Sequence, residues 1–135
     1  MARRFEGERT LVRIFIGESD RCLEGRHRGK PLYEALVSLF RERGFAGATV
    51  LRGIAGFGAS AIVHTDRVLR LSLDLPIVVE VVDTEEKVQE VMGELDRMIG
   101  GGLVTLEKVR VILYRPASAP DPRPEEGPDA GGGPG

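Results

Sequence analysis

The chain has 135 residues, a formal net charge of −2, one cysteine and no tryptophan. That length allows one domain with an aliphatic core, the lone Cys22 excludes an internal disulfide, and the near-neutral balance gives no global field to hold nucleic acid. No apolar run is long enough to span a bilayer, and the opening MARRFEGERT lacks the apolar centre of a signal peptide, so the sequence predicts a cytoplasmic protein.

Residues 11–16, LVRIFI, alternate as a strand does, with Val12, Ile14 and Ile16 on one side and Leu11, Arg13 and Phe15 on the other. Residues 17–30 are too charged and glycine-broken for a regular element. They form a loop with a basic cluster, Arg21, Arg26, Arg28 and Lys30, set against Glu18, Asp20 and Glu24. Pro31 suits a first helical turn, and Tyr33, Leu36, Val37 and Phe40 follow at helical spacing until Gly44 ends the helix. A second strand over about 48–54 runs into a glycine-rich loop, and IVVEVV at 77–82 reads as a central third strand. Asp83 or Thr84 can cap a second helix, with Glu85 and Glu86 in the first turn where the helix dipole favours negative charge. Its apolar stripe is Val88, Val91, Met92, Leu95 and Ile99, and it stops at Gly100, Gly101 and Gly102. Residues 103–114 are extended but interrupted by Glu107 and Lys108, which predicts a bulge or a tight turn between two short strands.

The element order is βαββαβ, the ferredoxin-like pattern of a four-stranded antiparallel sheet with two helices on one face, an α+β fold. The chain divides into an amino-terminal arm (1–9), the domain (10–116) and a Pro/Gly-rich acidic tail (117–135) with no large apolar residue, which reads as disordered. Strands such as IVVEVV and LVRIFI leave apolar side chains on the uncovered sheet face, and packing copies together is the simple way to hide them.

The chemistry concentrates in residues 48–75. Gly53, Gly56 and Gly58 beside Arg52 can present backbone N–H groups to an anion, or can simply serve a bulge or bend that needs positive φ. Residues 100–102 leave the same choice between a phosphate cradle, with Thr105 and Lys108 as further donors, and a helix C-cap. His64, Arg67 and Arg70 are mixed with Val68, Leu69 and Leu71, a composition suited to docking on a partner. A lone His64 is a weak metal signal, and no metal site is assigned. The cluster Arg21, Arg26, Arg28 and Lys30 is a second candidate for anion contact, with solvated surface as its plainer role. No nucleophile–base pair, carboxylate pair or metal cluster stands out, so an enzyme is not expected. The dinucleotide fingerprint and the Walker lysine are both missing.

Taken together, GESD (17–20), PLYEALV (31–37), GATVLRGIAGFG (47–58), HT (64–65), LPIVVEVVDT (75–84) and KVRVILY (108–114) resemble the PII-like family long catalogued as a domain of unknown function, within the nitrogen-regulatory PII superfamily. The resemblance covers about residues 10–115. It implies a homotrimer with its sheets facing inward and a long loop between the second and third strands that moves when ligand binds. It also implies an adenine nucleotide in the cleft between subunits, held by the loop base (Arg52, Gly53, Gly56, Phe57, Gly58) and by Gly100, Gly101 and Gly102 of a neighbour. No Tyr lies between Gly58 and Pro76, so the tyrosyl modification of many PII loops has no counterpart. The resulting expectation is a signalling protein that binds a nucleotide or related anion and reports it through a mobile, partner-facing arm, with a membrane transporter or an enzyme as the partner. Two alternatives stand beside it. One is a metal- or ion-tolerance protein similar to the CutA type, with His64 or Cys22 as ligand, and the other is an adaptor of a membrane transporter that binds no small molecule.

Overall fold

Six elements follow one another in the computed structural model, which describes residues 7–58 and 74–117. They are β1 (Gly7–Gly17), α1 (Leu32–Glu42), β2 (Thr49–Arg52), β3 (Pro76–Asp83), α2 (Glu85–Met98) and β4 (Leu103–Val111). The four strands form one antiparallel sheet in the order β2-β3-β1-β4, so the predicted βαββαβ pattern is the one found. Residues 8–109 make up one compact unit, and the described residues 7 and 110–117 belong to another. The expectations for His64, Arg67 and Arg70, and for the tail beyond Ala117, lie outside the described residues.

Register follows from the period of two. Val12 pairs with Val81, Ile14 with Val79 and Ile16 with Ile77, and these six side chains share one buried face of the sheet. The helices cover that face. Leu32, Ala35, Leu36, Leu39 and Phe40 of α1 and Val88, Val91, Leu95 and Met98 of α2 join it in a single core. The α1 stripe is thus rotated from the expected one. In LYEALVSLF apolar residues occupy most positions, so periodicity leaves the face open, and packing puts Tyr33 and Val37 at its margin.

The end of α1 and the start of α2 each carry a signal. Gly44, at φ +78°, follows the last turn of α1. Thr84 is the cap of α2: its hydroxyl accepts the Lys87 amide at 3.2 Å. Asp83 takes a different task, accepting the amides of Ala46 at 3.2 Å and Thr84 at 2.8 Å, which ties the α1–β2 connector to the end of β3. Thr84→Ala is expected to lower stability by about 1 kcal/mol, read as a drop in denaturant midpoint at unchanged slope.

β4 corrects an expectation. Leu103–Val111 is one continuous strand, with no bulge or turn at Glu107 and Lys108. It is an edge strand, and both polar residues find ionic partners: Glu107 lies 3.3 Å from Arg13, and Lys108 lies 3.9 Å from Glu8. Arg13 also bonds Glu80 at 2.8 Å, so one guanidinium joins β3, β1 and β4 across the uncovered face. The hydrogen bond that Arg13 donates to Glu80 raises the Arg13 pKa above its ordinary value against a smaller desolvation effect, with the charges of Glu80 and Glu107 adding to the rise. Around this ionic group Leu11, Phe15, Leu51, Val78 and Val82 are left half-buried or exposed.

Candidate ligand site

Antiparallel alternation brings the ends of β1 and β2 and the starts of β3 and β4 to one end of the sheet. There GESD forms a tight turn built on carboxylates. Asp20 accepts the Gly17 amide at 2.9 Å, and Asp74 accepts the Ser19 amide at 3.1 Å. The Glu18 amide donates to Leu75 O at 2.8 Å, and the Leu32 amide donates to Asp20 O at 2.8 Å. A side chain at Gly17 would sit 2.6 Å from Asp74 Oδ1, so any larger residue there would push the Asp74 carboxylate from its place. The Glu18 carboxylate then reaches Arg52 Nη2 at the end of β2, with Arg52 still largely exposed. In the sequence Glu18 and Asp20 stand only as two nearby carboxylates. Their roles depend on Arg52 and Asp74, far away in the chain, and the compact GESD motif is the one local signal of them.

The glycines separate into two kinds. Gly53 donates its amide to Pro76 O at 2.7 Å, and a Cβ there would lie 2.9 Å from Pro76 Cγ. Gly56, at φ +150°, would place a Cβ 3.2 Å from the same ring atom. Gly102, at φ +151°, would drive one to 2.7 Å from Phe15 O, and Gly100 would press on Leu23. These four answer a demand for close approach. Gly58 and Gly101 meet nothing within 4 Å, so their backbones are open to a ligand. Beside Gly58, the side chains of Phe57 and Ile54 stand exposed.

Not all the predicted site residues share one place. Residues 52–58 and 100–102 lie at the same end of the sheet, but β2 and β4 are its opposite edges. Three strand spacings separate them, roughly 14 Å. Thr105 lies further down β4 on the same face as Glu107. Lys108 faces the other side, six residues and roughly 20 Å from Gly102. The basic loop residues Arg21, Arg26, Arg28 and Lys30 are exposed on a separate loop, Arg26 lying 3.5 Å from Glu42. Cys22 is buried in the core, its thiol donating to Glu24 O at 3.2 Å, which makes it a packing residue. Among the described residues no group of three His, Cys, Asp or Glu side chains could hold a metal, and no helix is long and apolar enough to cross a membrane.

Residues 9–111 match the model of the family DUF190, described as "Uncharacterized ACR, COG1993". A UPF0166 protein of Aquifex aeolicus is 39% identical over 105 residues, which are 78% of this chain and 94% of that protein. Another UPF0166 protein, from Methanocaldococcus jannaschii, is 30% identical over 75% of this chain and 89% of its own length. Among solved structures, a protein described as PII-like and signalling, from Thermus thermophilus, superposes with a TM-score of 0.53 at 19% identity, covering 79% of this chain and 92% of that one. At that identity the likeness speaks to the fold alone. The family match runs from β1 to the end of β4, and the chain belongs to the DUF190 family.

Proposed function

We propose that the protein is a trimeric PII-like signalling protein, regulatory and not enzymatic, that binds a small anion, an adenine nucleotide in the first instance, where two subunits meet. The observation that carries this reading is the placement of the two glycine-rich segments at one end of the sheet on its two edges. A β2 edge meeting the β4 edge of the next copy is a head-to-tail contact, which closes into a ring when the rotation allows. Such a ring brings Arg52, Phe57 and Gly58 of one copy to Gly101 of another, and it gives the half-exposed Leu11, Phe15, Leu51 and Val78 something to pack against. Ligand contacts made in only one arrangement of residues 59–73 shift the population toward it and alter the surface offered to a transporter or enzyme partner.

Light scattering and titration calorimetry against adenine nucleotides, cyclic dinucleotides and inorganic anions test this. A trimer with saturable nucleotide binding, weakened about ten-fold or more by Arg52→Ala, is expected. A monomer, or an absence of binding across the panel, refutes it. Glu18 competes with any anion for Arg52, so Glu18→Gln is expected to tighten anion binding by about two- to five-fold, the scale of an exposed ion pair. The burial of Cys22 leaves the metal-tolerance alternative with His64 alone.

A further inference from the structure

A cavity of about 230 Å³ opens between the two helices and the β1–α1 loop. Its floor is Leu39 of α1 and Met98 of α2, and its wall is the loop segment Glu24, Gly25, Arg26 and His27. The wall is held in place. The Leu23 amide donates to Met98 O at 3.0 Å, the Cys22 amide to Lys30 O at 2.9 Å and the Gly29 amide to Cys22 O at 2.8 Å. The turns inside the loop are closed by Arg28 N to Gly25 O at 3.1 Å and Lys30 N to His27 O at 3.0 Å.

The charges around the rim fall into used and unused groups. Glu42 lies 3.3 Å from His27 and 3.5 Å from Arg26, and Glu94 pairs with Arg43. That leaves the Arg97 guanidinium and the Glu24 carboxylate, which have no ion-pair partner among the described residues and line the same cavity. Glu24, Glu42 and Glu94 are set against Arg26, Arg97 and His27, so the lining has no net positive charge to draw in a polyanion. Drug-sized ligands take pockets of roughly 300–1,000 Å³, so the occupant is smaller. One free cation, one free anion and an apolar floor match a molecule carrying a carboxylate, an ammonium and a short apolar chain.

We propose that this cavity is a second effector site that binds a free α-amino acid as its zwitterion, with an aliphatic or thioether side chain. The carboxylate lies on Arg97, whose planar fork suits it, the ammonium on Glu24, and the side chain on Leu39 and Met98. The residues that line it differ from those of the proposed anion cleft.

Amide-shift titration of the full chain with leucine, methionine and valine tests the assignment. Saturable shifts confined to residues 24–27, 39–42 and 94–98 are expected. The carboxylic acid lacking the amine, and the amine lacking the carboxylate, are each expected to bind about ten-fold more weakly or worse, the scale of one charge-assisted hydrogen bond. Arg97→Gln and Glu24→Gln, both at exposed positions, should keep the spectrum of the folded protein and weaken the intact amino acid by a similar factor. An absence of saturable shifts overturns the proposal, as does equal binding of the half-molecules or full affinity in both variants.

Discussion

Phe40→Ala is expected to destabilise the protein by about 3–5 kcal/mol, a large share of what holds a domain of this size together. The side chain is 1% exposed, and its ring meets Phe45 edge to face with centroids 4.9 Å apart. Phe45 is in turn fixed by its amide, which donates to Phe40 O at 3.0 Å, and by Lys87 Nζ lying 5.7 Å above its ring. Removing Phe40 therefore leaves a cavity at the point where α1 hands the chain to β2. A chemical denaturation curve measures it. A loss below about 1 kcal/mol would mean that the core repacks around the vacancy and that this aromatic pair is not a fixed point of the fold.

The second large effect separates two meanings of one glycine run. Gly102→Ala is expected to cost about 1–3 kcal/mol, because the new methyl would lie 2.7 Å from the Phe15 carbonyl oxygen, a backbone atom that cannot swing aside. Gly101→Ala meets nothing within 4 Å and should stay within about 0.5 kcal/mol of the parent. A fall in nucleotide affinity in the Gly101 variant then reports on the ligand and not on the fold. If the two variants prove equally stable, the close approach of β4 to β1 is not what selects glycine at 102.

Much of the fold was legible because its central strands declare themselves. LVRIFI alternates and IVVEVV is almost wholly β-branched, and they pair residue for residue. What failed at Glu107 and Lys108 was an inference from local polarity, since an edge strand tolerates charge on both faces when Arg13 and Glu8 come from elsewhere to meet it. The α1 stripe misled for a related reason: its apolar face is wider than half the helix, so only its neighbours decide which part of that face turns inward. The candidate site was legible as composition but not as geometry. Glycine at 53 and 56 looks the same in sequence whether it cradles an anion or clears room for Pro76, a partner about twenty residues away. The pairing of Arg52 with Glu18, thirty-four positions apart, leaves no periodic trace at all.

The clasp of Gly53 and Gly56 on Pro76 also makes the β2–β3 junction a socket for grafting. Gly53 and Pro76 lie one strand spacing apart, about 4.8 Å, with the Gly53 amide closing on Pro76 O. Doubling the length of that chain adds only about 0.6 kcal/mol of closure entropy. A longer connection there is therefore expected to leave the stability of the sheet nearly unchanged, read as an unshifted denaturant midpoint. An epitope or fluorescent reporter inserted there is expected to leave the sheet folded while interrupting the proposed signalling.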